Sequence, residues 1–111
     1  MYYTQGDIVL VNFPFTNQEN SKKRPAMVIS TNDFNKTSND IILVQITKEE
    51  YQDGNSISFE RNDLITPLDY VSEIRCHKIL VAEQSIIIKS ISKLRYPVVK
   101  KVIAKINTII S

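Results

Sequence analysis

The sequence predicts a mainly β (α+β) fold: a small barrel of about six strands carrying one amphipathic helix at the C-terminal end. Three observations lead there. Three early segments are rich in β-branched residues and bounded by turn chemistry. The first of them, DIVLVNF at residues 7–13, is apolar on both alternating faces. Val9, Val11 and Phe13 point one way, and Ile8 and Leu10 point the other with Asn12, as in a strand covered on both sides. The end of the chain leaves this period, and Val99, Val102, Ile103, Ile106 and Ile110 recur at spacings of three and four. With 111 residues, 42% hydrophobic and 23% charged, the chain reads as one domain, residues 1–111.

In chain order, AMVIST (26–31) and IILVQIT (41–47) are strands two and three. The polar, aperiodic stretch at residues 15–24 predicts a surface loop before strand two. Residues 32–39, NDFNKTSN, are dominated by short side chains that bond their own backbone, which predicts a turn region. Gly54 and Asn55 end an acidic loop at 48–53. Strand composition returns at 56–60, 72–82 and 85–89, with Pro67 breaking the chain before the longest segment. The helix is predicted over 97–110, with Pro97 at its first position, where a missing N–H costs nothing. Burying its aliphatic stripe at ~1.5–3 kcal/mol per side chain outweighs a helix penalty of a few tenths each. No repeat, low-complexity segment or linker is evident.

The formal charge of +2 divides unevenly: residues 1–73 carry six basic and eleven acidic side chains, residues 74–111 eight basic and one acidic. A basic last third, with Arg75, Lys78, Lys89, Lys93, Arg95, Lys100, Lys101 and Lys105, suits a polyanion such as nucleic acid. The same cations could equally solvate the outer face of a helix and strand. The single cysteine, Cys76, makes no internal bridge. With no basic leader before an apolar stretch, and no run near the ~18 apolar residues of a membrane span, the expectation is a soluble, unprocessed, cytoplasmic protein away from membranes.

One Cys, one His and scattered carboxylates supply no closed zinc site, so no metal is expected. Two glycines, Gly6 and Gly54, form no phosphate-cradling loop, so no nucleotide cofactor is expected. Cys76 and His77 are neighbours on a strand, emerge on opposite faces and make a poor nucleophile–base pair.

Arg75 and His77, two apart, project from one face. A guanidinium grips phosphate with two parallel hydrogen bonds, and an imidazole moves a proton near neutral pH, so the pair suits phosphodiester cleavage. Read blandly, His77 is a partly buried strand residue bonded to backbone and Arg75 a surface cation. Lys22, Lys23 and Arg24 precede Pro25, which restricts Arg24 to extended conformations and limits where its side chain points. A solvated charge run is the alternative. Thr47 ends strand three, where threonine is a good β-former.

The order of these pieces resembles the PemK/MazF family of type II toxin–antitoxin toxins, ribosome-independent endoribonucleases that cut messenger RNA. The resemblance runs through Gly6-Asp7-Ile8-Val9, Phe13-Pro14, Glu19 before Arg24-Pro25, the run Arg24-Pro25-Ala26-Met27-Val28-Ile29-Ser30, Asn35, Thr47 after an apolar strand, and the Lys-rich final helix. It implies an SH3-like, partly closed antiparallel β-barrel with a C-terminal helix, usually a homodimer, and a single-stranded RNA substrate. It further implies metal-independent cleavage, the ribose 2′-hydroxyl attacking the adjacent phosphate to leave a cyclic phosphate and a 5′-hydroxyl.

On this resemblance Arg24 and Thr47 match residues at the scissile phosphate, and Arg75 matches an Arg of an Arg-Cys-Asp strand in one branch. His77 stands where that branch carries an acid, so an imidazole replaces the carboxylate base. Asn17, Gln18, Glu19, Lys22, Lys23 and Lys78 are the expected RNA contacts, and Gln18 stands where some members have a His. Gln45 replaces a frequent Pro before Ile46-Thr47. The implied partners are a cognate antitoxin and, with it, operator DNA. Competing expectations are a DNA-binding autoregulator, a homologue retaining only antitoxin binding, and a gyrase-poisoning toxin, which relies on a C-terminal Trp that this chain lacks.

Overall fold

The computed structural model describes residues 2–14, 21–48, 51, 53–68 and 73–111, with 13, 14, 21 and 22 described by backbone alone. Six strands form one antiparallel sheet: β1 (Asp7–Pro14), β2 (Ser21–Val28), β3 (Asp40–Thr47), β4 (Ser56–Ser58), β5 (Glu73–Glu83) and β6 (Ile87–Lys93). Their order, β4-β5-β3-β2-β1-β6, leaves β4 and β6 as edges, so the barrel is only partly closed. The described residues also form two helices, α1 (Asn32–Thr37) and α2 (Tyr96–Ile110), and short 3-10 turns at Arg61–Asp63 and Gln84–Ile86.

Both faces of the sheet are covered, as the apolar alternation of β1 requires. On one, α2 packs Val98, Val99, Val102 and Ile106 against Ile8, Met27, Val44, Ile46, Ile74 and Cys76. The other holds Val9, Val11, Ala26, Val28, Ile41, Leu43, Ala82 and Ile87. Ile103 is half-buried and Ile110, the last residue of the helix, is 66% exposed, while Val98 joins the buried stripe instead. The helix starts at Tyr96, one residue before the predicted Pro97.

Gly6 explains the start of β1. It holds φ +97°, a left-handed conformation that favours glycine, and a Cβ there would lie 3.0 Å from Val99 Cγ2 on α2. Asp7 then ties the entry: its carboxylate accepts from the Thr4 N–H and hydroxyl at 2.9 and 3.0 Å and pairs with Lys93 at 3.3 Å.

Several segments differ from the sequence expectation: the strand expected at 85–89 runs Ile87–Lys93 after a 3-10 turn at Gln84–Ile86, the one expected at 56–60 ends at Ser58, and two others differ more. Residues 32–37 are helical, not a turn, because Thr31 caps the Phe34 N–H at 3.2 Å, with Asp33 in the first turn and Lys36 in the last. Strand two ends at Val28, and Ile29–Thr31 lead into that helix. At its other end β2 begins at Ser21, so Ser21–Arg24, expected in the loop, are paired with β1 from Pro14↔Ser21 to Val11↔Arg24. Main-chain pairing with β1 outweighs the poor β-propensity of these residues. Pro25 is tolerated because the β2–β3 ladder stops at Ala26, leaving that edge of β2 without a partner strand. Residues 15–20 lie outside the described residues. Among those described, no helix is long and apolar enough to cross a membrane.

Candidate active site

The strand register brings the predicted site residues together. The last β2–β3 pair is Ala26↔Gln45, and Gln45 is opposite Arg75, which is opposite Ser56. Directly opposed residues in antiparallel strands share a face, so this row crosses β2, β3, β5 and β4 on one side of the sheet. Two residues along each strand, Arg24, Thr47, Glu73 and Ser58 form the next row, with Thr47↔Glu73 and Ser58↔Glu73 paired. Arg24, Thr47 and Arg75 therefore share one face at one end of the sheet. Strands β2 and β5 are two ladder spacings apart, about 10 Å.

A bulge brings His77 into this group. The β3–β5 register jumps from Val44↔Ile79 to Gln45↔Arg75, leaving residues 76–78 of β5 without partners on β3. Bulges re-aim side chains. Here Arg75 Nη2 lies 3.4 Å from His77 Nε2. Between them Cys76 turns to the opposite face and is buried under α2, as strand alternation predicts. Burial pushes its thiol up from 9.0 to about 11, a proton-holding and unreactive state, with Lys105 opposing the rise.

Arg75 is held by residues the sequence reading did not identify. Its Nη2 donates to Asp53 Oδ2 at 3.2 Å, and its guanidinium lies 3.7 Å from the centre of the Tyr51 ring. The Asp53 carboxyl is held below its ordinary 3.8, chiefly by the Asn55 N–H at 3.0 Å and further by Arg75 and Ser56, against a desolvation effect that raises it. Glu73, 2% exposed, accepts the Tyr51 N–H at 3.0 Å and the Ser58 hydroxyl at 3.5 Å. Arg75 Nε and His77 Nδ1 are buried and have no hydrogen-bond partner among the described residues.

Other expected contacts fare differently. Lys23 is exposed and alternates with Arg24 along β2, so it points to the opposite face and is not part of the group. Lys78 is exposed within the bulge beside His77. Lys22 is placed opposite Phe13 by its backbone. Asn17, Gln18 and Glu19 lie outside the described residues. Asn35, part of the motif pattern, is structural: it is buried, accepts from Ser30 Oγ at 2.5 Å, and donates to the Tyr3 and Ser30 carbonyls. Among the described residues, no three His, Cys, Asp or Glu side chains converge on a metal position.

A grouping of two arginines, a threonine and an imidazole on one face can bind a phosphodiester and move a proton. The family model described as PemK-like, MazF-like toxin of type II toxin–antitoxin systems matches residues 4–110. No curated protein sequence matches the chain significantly. Among solved structures, a chain of the MazE–MazF complex from Deinococcus radiodurans is similar, with TM-score 0.80 and 16% identity over 96% of this chain and 94% of that one. So is an endoribonuclease in complex with its cognate antitoxin from a mycobacterial species, with TM-score 0.80 and 13% identity over 96% and 92%. The Mycobacterium tuberculosis toxin MazF-mt6 aligns with TM-score 0.71 and 12% identity over 90% of each chain. At these identities the likeness is one of fold.

Proposed function

We propose that this chain, which belongs to the PemK-like, MazF-like toxins of type II toxin–antitoxin systems, is a metal-independent endoribonuclease that cuts single-stranded mRNA in the cytoplasm by 2′-hydroxyl attack. The observation that carries this reading is the shared face of Arg24, Thr47, Arg75 and His77, set by the β2–β3–β5 register. Arg24 and Arg75 neutralise the charge that builds on the phosphorane, usually the largest single contribution in such reactions. Thr47 donates a hydrogen bond to a non-bridging oxygen. The imidazole of His77 takes the 2′-hydroxyl proton and returns it to the departing 5′-oxygen, so the P–O2′ bond forms and the P–O5′ bond breaks without net proton loss. DNA lacks the attacking hydroxyl and stays intact.

Asn17, Gln18, Glu19 and the exposed Lys78 contribute RNA contacts, and a cognate antitoxin competes for the same cationic surface. The exposed aliphatic side chains Ile79 and Val81 on β5, Ile86 after it and Ile88 on β6 support association with a second copy of the chain. Purified protein is incubated in chelator with one RNA and its all-deoxy copy. Cleavage of the RNA alone, ending in a cyclic phosphate, is expected, with Arg24→Ala and Arg75→Ala each slowing it about 10²–10³-fold. Cleavage of both strands would refute the mechanism. Duplex binding without any cleavage would instead support a DNA-binding autoregulator.

A further inference from the structure

We propose that Asp53 and Tyr51 are positioning residues, which hold the Arg75 guanidinium so that it donates to His77 Nε2 and keeps that ring in the tautomer protonated at Nδ1. The inference deepens the ribonuclease reading and depends on it only for its catalytic consequence.

Arginine donates hydrogen bonds and never accepts them. The 3.4 Å contact between Arg75 Nη2 and His77 Nε2 therefore places a lone pair on Nε2, and in the neutral ring the proton is on Nδ1. His77 Nδ1 is buried, so a substrate proton reaches the ring at Nε2. The guanidinium thus selects the tautomer whose reachable nitrogen is a base. The opposite tautomer would set Nε2–H against Nη2–H, donor against donor. When a phosphate oxygen takes the Nη2–H that faced Nε2, the guanidinium keeping its place on Asp53 and Tyr51, the lone pair at Nε2 is left for the 2′-hydroxyl proton.

A long arginine side chain holds this pose only if its other contacts are fixed. Asp53 Oδ2 takes Nη2 at 3.2 Å, while Oδ1 is occupied by the Asn55 N–H at 3.0 Å and the Ser56 hydroxyl at 3.3 Å. The carboxylate is therefore itself immobilised by a local turn. The Tyr51 ring covers the guanidinium plane at 3.7 Å, and the Tyr51 N–H is anchored on buried Glu73. The two hydrogens of Nη2 then have two fixed acceptors, Asp53 and His77. This is the orienting logic by which a third group fixes the tautomer of a working histidine.

The chain has one histidine, so its imidazole nitrogens are read in a ¹⁵N-labelled sample without assignment ambiguity. Long-range ¹H–¹⁵N spectra of the full-length, RNA-free protein are recorded at alkaline pH, where imidazole is neutral. Wild type is expected to show the Nδ1–H form. Asp53→Asn keeps an oxygen for the Asn55 N–H but removes the charge that holds Arg75, and is expected to move the ring mostly to Nε2–H. Tyr51→Leu, a second variant that spares Asp53, is expected to do the same. In RNA cleavage Asp53→Asn is expected to lower kcat roughly tenfold with KM changed less than about twofold. A wild-type ring in the Nε2–H form, or a tautomer unmoved by both variants, overturns the proposal. A wild type that cuts no RNA while its tautomer responds to Asp53→Asn upholds the positioning role and defeats the ribonuclease reading instead.

Discussion

Replacing Glu73 tests how the fold secures the site. Its carboxylate, 2% exposed, accepts the Tyr51 N–H at 3.0 Å and the Ser58 hydroxyl at 3.5 Å. A hydrogen bond to a charged acceptor contributes about 1.5–3 kcal/mol net, and the Ser58 contact, at the outer limit of hydrogen-bond length, adds little. In Glu73→Ala the Tyr51 amide rehydrates, because Tyr51 is 44% exposed, so no orphaned donor adds to the loss. That figure is already net of the cost of taking the carboxylate out of water, so no separate desolvation correction applies. The expected balance is destabilisation by about 2 kcal/mol for Glu73→Ala and about 1 kcal/mol for Glu73→Gln, which keeps a carbonyl acceptor. At roughly 4 °C per kcal/mol for a chain of this size, the alanine variant should melt about 8 °C lower. Thermal melts followed by circular dichroism measure this, and amide exchange at Tyr51 should accelerate in parallel. A Glu73→Ala protein as stable as wild type, with Tyr51 exchange unaltered, would show that desolvation cancels the bonds and that Glu73 does not anchor the loop.

Three further outcomes are open to direct measurement. Cys76, with its thiol pushed up to about 11 by burial, should resist alkylation at neutral pH in the native protein and react fully in denaturant; because its folded value lies above the ordinary 9.0, its contribution to stability is present below pH 9 and is lost as pH rises toward 11. The Asp53 carboxyl is depressed below 3.8, so its contribution is present above that pH and disappears as pH falls through the folded value; Asp53→Asn should therefore lower stability near neutrality, flatten the acid limb of the stability–pH curve below about pH 4, and converge with wild type at the acid end. Gly6→Ala should cost more than about 1 kcal/mol in urea unfolding, since it puts a Cβ at φ +97° and 3.0 Å from Val99 Cγ2, whereas alanine at open Gly54, φ +80°, carries only the conformational part of that cost.

The parts of the fold written in short-range pattern were legible. The two-sided burial of β1, the aliphatic stripe of α2 and the opposite faces of Cys76 and His77 all follow from side-chain period, and each is present in the structure. Helix α1 was not legible as a helix, because its Asn, Asp, Lys and Thr residues suit a turn equally well; the usable signal was Thr31, whose side chain caps the Phe34 N–H. The start of β2 was hidden for a different reason. Ser21–Arg24 have poor strand composition and are strands only through pairing with β1, which no local propensity records.

The site divides along the same line. Arg24, Thr47, Arg75 and His77 could be picked out by residue type, but their convergence depends on one offset in the β3–β5 ladder, between Val44↔Ile79 and Gln45↔Arg75. Without that offset Arg75 would sit elsewhere along β3, and the row joining it through Gln45 to Ala26, beside Arg24, would not exist. A bulge of this kind has no signature in Arg75-Cys76-His77-Lys78 itself. Nor does the acidic loop advertise that Tyr51 and Asp53 serve Arg75, which lies 22 residues beyond Asp53. Loop composition predicts solvent exposure, and Asp53 is exposed; its partner is fixed by the β4–β5 pairing, in which Ser56 stands opposite Arg75 and brings the preceding turn over the guanidinium. Residue chemistry therefore nominates the reacting groups, while ladder register decides which of them meet and which neighbours hold them in place.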